Sequence, residues 1–313
     1  MDLRERVAAT GLLEAGRPVV VLLSGGRDSV CLLDLATTLA GAGAVRALHV
    51  NYGLRAEADG DEAHCAALCR TLGVALDVHR AGRPDDAPGN LQAWARDVRY
   101  AEAARRAARA GPAARVAAAH TATDQAETIL YRLAASPGRR ALLGMEAESG
   151  RLVRPLLGVT REETAGWCRT RGLAWREDAT NTSDRYARGR VRGDLVPALR
   201  AVHPAAERNV VRTAELLRDE AEVLDVVVET ALAGRDEIAV SHLAALPRAL
   251  ARLVVRRLAE TAAGGLCARA PGRLDDILAL GDGALDLGDG ARAVVALGTL
   301  RCERTPPLPA RRT

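Results

Sequence analysis

Residues 19–35 read V-V-V-L-L-S-G-G-R-D-S-V-C-L-L-D-L. A continuous apolar run, two adjacent glycines flanked by hydroxyls, and then a fresh apolar periodicity predict a buried parallel strand that turns tightly into a helix. Such a turn is built for an anion. Gly25 and Gly26 carry no Cβ, so the backbone can close on a ligand and aim successive N–H groups at it, while the helix start adds partial positive charge. Phosphate is the expected guest. The spacing differs from that of the G-x-x-x-x-G-K-S/T loop, which also needs a lysine. This chain has none: all 44 of its Lys+Arg positions are arginine.

Outward from this stretch, helices are expected at residues 30–39, 58–72 and 91–110, and strands at 44–50, 75–79 and 115–119. That alternation predicts an α/β fold, a doubly wound parallel sheet with its ligand at the carboxyl ends of the strands. The fourth strand delivers H-T-A-T-D-Q-A-E-T at 120–128. His120, Asp124 and Glu127 are spaced to face one cleft from the first turns of a helix, and Thr123 or Asp124 also suits its N-cap. On the helix at 91–110, Arg96, Arg99 and Arg106 fall near one face, where a solvated basic surface is the plain alternative to a binding role. Residues 136–150 contain glycine and proline without a period and read as a mobile loop near the site. After His203-Pro204 the pattern changes to long helices at 209–232 and 247–260, a short helix at 274–280, and a hairpin of 284–287 with 292–301. Two domains are expected, 1–204 and a smaller, mainly helical 205–313.

S-G-G-R-D-S at 24–29 resembles the S-G-G-x-D-S signature of the PP-loop ATP pyrophosphatases. H-T-A-T-D-Q-A-E-T is close to H-x-x-D-D-Q-A-E-T, the second signature of the tRNA(Ile)-lysidine synthetases. A-R-D-V-R-Y at 95–100, R-P-L-L at 154–157, W-R-E-D-A-T-N at 175–181 and R-Y-A-R-G-R-V-R at 185–192 extend the resemblance over about residues 15–205. Three positions depart from it: Tyr52 stands where the family has histidine, Thr123 replaces the first aspartate, and Gly189 lies near a family asparagine.

The resemblance implies an ATP- and Mg2+-dependent ligase. It would adenylate O2 of the wobble cytidine in a CAU-anticodon tRNA, release pyrophosphate, and let the ε-amine of L-lysine displace AMP. Ser24, Gly25, Gly26, Arg27, Asp28, Ser29 and Asn51 would then hold ATP, and Asp28, His120, Asp124 and Glu127 would be catalytic. Asp28 and Asp124 are the implied magnesium ligands, while Asp124 and Glu127 can instead orient the lysine ammonium. Arg96, Arg99, Arg188, Arg190 and Arg192 would be tRNA or active-site arginines, and the C-terminal domain would hold tRNA.

The six cysteines are scattered without a C-x-x-C pair and read as reduced core thiols. Their scatter argues against a tRNA thiolase, and there is no room for the extra nucleophile domain of a glutamine-fed amide synthetase. A non-catalytic tRNA-binding relative is the rival from another class. The net charge of +4 is modest, and an arginine-only, phenylalanine-free composition also fits GC-rich coding, so composition alone does not argue for RNA. No apolar run reaches the roughly 18 residues of a membrane span, and the opening M-D-L-R-E-R-V lacks a signal-peptide core. A cytoplasmic protein without membrane association is expected.

Overall fold

The computed structural model describes residues 1–54, 57–83, 90–135, 139–176 and 187–306, with the backbone alone at 187 and 188. The chain divides into two compact units, Met1–Leu217 and Arg218–Thr313.

The first unit is organised on six strands: β1 (Val19–Leu22), β2 (Val45–Asn51), β3 (Ala75–Arg80), β4 (Arg115–Ala117), β5 (Glu148–Ser149) and β6 (Leu152–Val153). Their order is β3-β2-β1-β4-β6-β5, parallel throughout except for the β5–β6 edge. Helices α1 (Leu3–Ala8), α2 (Arg27–Ala40), α3 (Ala58–Leu72), α4 (Leu91–Ala110), α5 (Ala122–Ala135), α6 (Arg139–Leu142) and α7 (Arg161–Thr170) connect and cover them. All four residues of β1 are buried, as a central strand covered on both faces requires. Side chains alternate across a strand. Val19 and Val21 therefore join a core with Leu32 and Leu33 of α2, Cys65 and Leu68 of α3 and Cys168 of α7, whereas Val20 and Leu22 meet Ala103 and Ala107 of α4 on the other face. The chain runs outward from β1 to β3 and then returns to β4 on the opposite side of β1. The reversal lies between β1 and β4, where doubly wound sheets bind ligands outside their carboxyl ends.

Helix α7 is fixed to α2 by a buried charge. Asp34, 1% exposed, accepts from Trp167 Nε1 at 2.9 Å and Arg171 Nε at 3.1 Å, so its carboxylate is paired rather than stranded. The start of α7 is set by a capping box in which Thr160 and Glu163 satisfy each other's backbone N–H groups.

Of the loop expected at 136–150, residues 136–138 lie outside the described residues, while α6 and the two-residue strand β5 fall within the rest and β6 just beyond it. Two residues are too few to show a period of two, which is why the sequence conceals them. Beyond the second gap come α8 (Ala187–Arg190), a π-helical turn (Val191–Leu195), α9 (Val196–Val202) and α10 (Ala206–Leu232). The sequence places the change of character at 204/205; the division into compact units falls inside α10.

The second unit holds α11 (Val240–Ala245), α12 (Arg248–Ala263) and α13 (Leu274–Ala279) with an antiparallel sheet, β7 (Glu237–Ala239), β8 (Gly283–Gly288), β9 (Ala291–Ala296) and β10 (Thr299–Arg304), ordered β7-β10-β9-β8. Val254, Val255 and Leu258 of α12 pack with Ile277, Leu287 and Leu300 in its core. The expected hairpin is thus a three-strand meander, because Leu297 and Gly298 both take positive φ and turn the chain where the sequence reads as one strand. Among the described residues no helix is long and apolar enough to cross a membrane.

Candidate active site

The glycine turn after β1 folds as an anion loop. Gly25 has φ +84°, and a Cβ there would come within 3.3 Å of both Cys65 Sγ and His64 Cδ2 of α3, so neither the backbone angle nor the packing accepts a side chain. The Ser29 hydroxyl donates to the Gly26 carbonyl at 2.8 Å. Its oxygen must then accept from the Ser24 hydroxyl, 3.1 Å away, and it also accepts from the Ser24 N–H at 3.2 Å. Those bonds close the loop and leave the first amides of α2, which have no intrahelical acceptor, facing outward. Arg176 clips the far side, its N–H donating to the Gly25 carbonyl at 3.0 Å and its guanidinium pairing with Asp61 of α3 at 2.6 Å.

A cavity of about 820 Å3 opens over this loop, lined among others by Ser24, Asp28, Tyr52, His120, Asp124 and Arg192. That size suits a nucleotide with a small second substrate. Asp28 receives the Thr164 hydroxyl of α7 at 2.5 Å and Arg27 Nε at 3.1 Å on one oxygen. Its other oxygen has Arg161 Nε at 3.7 Å.

At the end of β4, Asp124 does two things. One oxygen caps the start of α5, accepting the Thr121 N–H and hydroxyl, both at 2.9 Å; the other takes Arg161 Nη2 at 2.8 Å. Burial opposes its ionisation, but Arg161 and the two Thr121 donors outweigh that and hold the carboxyl below its usual range. Glu127, one turn on and 4% exposed, accepts Arg192 Nε at 2.7 Å and Nη2 at 2.9 Å, with Arg161 Nη1 at 3.5 Å. Burial pushes His120 down to about 4; Arg154, Arg99 and Arg96 add to the depression, and Asp124 pulls the other way. His120 is therefore a neutral imidazole near pH 7.

A cationic wall borders the histidine. Arg96 and Arg99 lie 4.7 and 5.4 Å from the centroid of the Tyr100 ring, and Arg154 is 8% exposed. The buried atoms His120 Nδ1, Tyr100 Oη, Arg99 Nε and Arg154 Nε have no hydrogen-bond partner among the described residues. Buried polar groups of this kind are ordinarily satisfied by water, an ion or a ligand.

The structure thus brings together Ser24, Gly26, Arg27, Asp28, Ser29, Arg99, His120, Asp124 and Arg192 of the residues singled out from sequence. It does not bring Asn51 to the cavity wall: its amide donates to Asp59 and Glu62 of α3, and its oxygen accepts the Gly53 N–H. Arg106 turns to Asp77 and Glu102 and belongs to the fold. Arg190 is exposed, whereas Arg192 is committed to Glu127 inside the site; Arg185, the side chain of Arg188, and residues 177–181 of the W-R-E-D-A-T-N motif lie outside the described residues. Sequence reasoning missed Arg161 and Thr164. Their only local signal, T-R-E-E-T at 160–164, reads as an ordinary capped helix start.

A family model for a PP-loop domain matches residues 4–199. A tRNA(Ile)-lysidine synthase from Symbiobacterium thermophilum is 37% identical over 97% of this chain and 69% of its own length. Another, from Dehalococcoides mccartyi, is 35% identical over 82% of this chain; the aligned stretch is 59% of that protein, which extends well beyond it. Among solved structures, a U34-tRNA thiolase from Methanococcus maripaludis superposes with a TM-score of 0.57 at 18% identity, covering 69% of this chain and 77% of that one, a likeness of fold. A hydroxyl-closed glycine loop, Asp124 and Glu127 after the neighbouring strand, and relatives aligned across both make this chain a member of the tRNA(Ile)-lysidine synthase family of PP-loop, ATP-using enzymes.

Proposed function

We propose that the protein ligates L-lysine to the wobble cytidine of a CAU-anticodon tRNA, forming lysidine at the cost of ATP cleaved to AMP and pyrophosphate. The observation that carries this reading is the meeting of the phosphate loop, with its Asp28, and Asp124 in one cavity, joined through Arg161, which also reaches the buried Glu127. Cytidine O2 attacks the α-phosphorus, the bond to the β-phosphate breaks, and pyrophosphate leaves. The ε-amine of lysine then attacks C2, AMP departs, and the nitrogen gives up a proton.

The loop amides, Ser24 and the α2 start stabilise the charge that grows on the leaving pyrophosphate. Asp28 lines the cavity, and its second oxygen accepts no hydrogen bond among the described residues, Arg161 Nε standing 3.7 Å away. A single hard carboxylate beside phosphate oxygens fits magnesium, which usually takes one or two protein oxygens and completes its shell with phosphate and water. Bound there, it would supply further charge neutralisation on the phosphates. Both Asp124 oxygens are already engaged, so Asp28 is the better ligand of the two. Asp124 and Glu127 offer carboxylate oxygens suited to a primary ammonium, and neutral His120 orients the base as a hydrogen-bonding group. The wall of Arg96, Arg99 and Arg154 suits the phosphodiesters flanking a base turned into the cavity, since each guanidinium binds phosphate in a fixed fork. The second unit would hold the body of the tRNA, in the cytoplasm.

Thiolation is the less supported reading, because five of the six cysteines are buried and Cys302 is half-buried. The test is incorporation of labelled lysine into CAU-anticodon tRNA with ATP and magnesium. Pyrophosphate release together with lysine transfer is expected; folded protein that binds tRNA but transfers nothing would leave the non-catalytic relative as the answer.

A further inference from the structure

Asp28, Asp124 and Glu127 form an acid trio answered by the guanidinium groups of Arg27, Arg161 and Arg192. Arg161 reaches Asp124 at 2.8 Å, Glu127 at 3.5 Å and Asp28 at 3.7 Å, and Arg192 reaches Glu127 at 2.7 Å and Asp124 at 3.6 Å. Counting Arg27, 3.1 Å from Asp28, three carboxylates face three guanidiniums and leave no net charge, and both oxygens of Asp124 and of Glu127 already accept hydrogen bonds. A lysine ammonium entering here competes with these guanidiniums for the same carboxylate oxygens.

The two arginines are not equivalent. Arg192 makes a bidentate pair with one carboxylate, the stronger and more directional arrangement. Arg161 is spread over three carboxylates with one hydrogen bond, to Asp124, and two longer contacts. Its backbone cannot travel: it is the first residue of α7, held by the Thr160–Glu163 capping box, by Thr164 on Asp28, and by Trp167 and Arg171 on Asp34. Only the side chain is free to change partner, and it lines the cavity beside the loop acid. A triphosphate seated on the loop brings several negative charges to that spot, with oxygens matched to a guanidinium fork.

We propose that Arg161 is a positioning residue that couples the two substrate sites: it holds Asp124 and Glu127 shut as an internal cation, and nucleotide draws it to the phosphates and opens them to lysine. The inference rests on the proposed function. Loss of Arg161 from the trio takes the cluster, with Arg27 and Arg192 still in place, from neutral to −1, so the incoming ammonium restores the balance the arginine left. Lysine binding therefore follows nucleotide binding, and linkage makes the effect mutual, with lysine tightening nucleotide to the same degree.

Calorimetric titration of lysine into the full chain, with and without a non-hydrolysable ATP analogue and magnesium, tests this. Wild type should bind lysine at least about tenfold more tightly with the analogue, within the usual range of coupling between sites. Arg161→Met should bind lysine equally with and without it, near the affinity of the nucleotide-loaded wild type. Arg161→Lys keeps a charge at the helix start but cannot span three carboxylates, so its coupling should fall between the two; it also serves if the methionine variant does not fold. Wild-type lysine affinity indifferent to nucleotide, or undiminished coupling in Arg161→Met, would overturn the inference and leave the ligase reading standing. No lysine binding to any of the proteins in any state, with nucleotide still bound, would overturn both.

Discussion

Arg192 holds Glu127 through two hydrogen bonds, 2.7 Å from Nε and 2.9 Å from Nη2, although 65 residues separate them. A run of arginines that reads as a surface grip for a polyanion thus sends one member inward. Glu127 is 4% exposed, and removing its partner leaves a buried carboxylate served only by Arg161 at 3.5 Å. Breaking a fully buried pair costs roughly 3–5 kcal/mol. Arg192 is one-third exposed, so solvent screening lowers the expected loss for Arg192→Met to about 2 kcal/mol. Urea denaturation checks it: Glu127→Gln combined with Arg192→Met should regain part of the loss, whereas strict additivity would mean that the two groups are not coupled.

With Arg192 occupied, the exposed Arg96 and Arg190 are the better probes of tRNA backbone contact. Their double alanine variant should weaken tRNA binding and make its dependence on salt shallower by about two units of slope at most, with ATP affinity unchanged. Filter binding across a salt series measures this. An unaltered slope would assign both side chains to solvent.

Asp28→Asn should leave the fold in place, because an amide oxygen can still accept from Thr164 at the 2.5 Å contact. Pyrophosphate release should fall by at least about a hundredfold, since metal neutralisation of phosphate charge is worth several kcal/mol and each 1.36 kcal/mol is tenfold in rate. A pyrophosphate assay at saturating ATP, paired with a melting curve, separates chemistry from folding. Near-normal release would remove Asp28 from the reaction.

Gly25→Ala meets two obstacles, φ +84° and contacts of 3.3 Å with α3; Gly41→Ala meets only φ +90°, with nothing within 4 Å. Gly41, with ψ 142°, sits in a region nearly reserved for glycine, where a side chain costs about 1–3 kcal/mol, so Gly41→Ala should lose about 2 kcal/mol and Gly25→Ala at least as much. Only the second should weaken ATP binding. Equal losses in stability and affinity would mean that the loop relaxes freely against Cys65 and His64.

His120 gives the stability curve a defined shape. Its folded pKa is lowered from 6.5 to about 4, so between those values the unfolded chain carries the proton and the folded chain does not. Stability from this group is complete above pH 6.5 and lost as pH falls towards 4, below which the loss levels off. His120→Gln should lose less stability across that window in denaturation titrations from pH 7 to 4. A variant as pH-sensitive as wild type would place the titration elsewhere.

Much of this was legible in the chain. The strand, glycine turn and helix at 19–35, the limits of α3 and α4, and the facing of His120 and Asp124 follow from periodicity and spacing, whereas Glu127 is buried against Arg192 rather than on the cavity wall. The partners of those acids do not, because Arg161 and Arg192 reach them across 37 and 65 residues and no local pattern encodes a pairing at that distance. Thr164, helix-interior and unremarkable by type, becomes part of the site only because α7 packs on α2. Asn51 shows the converse: it stands at a strand end, where ligands are expected, yet its amide is spent on α3.

Among the described residues the arginines lining the cavity are Arg27, Arg99, Arg161, Arg176 and Arg192, and no side chain in this sequence carries a primary amine. A guanidinium stays protonated and delocalised, and so is a poor nucleophile at neutral pH. In the proposed reaction an activated base waits for an amine to attack it. The enzyme offers that base charge on every side and no competing ε-amine of its own, so self-modification by a neighbouring side-chain amine is closed off by the choice of cation.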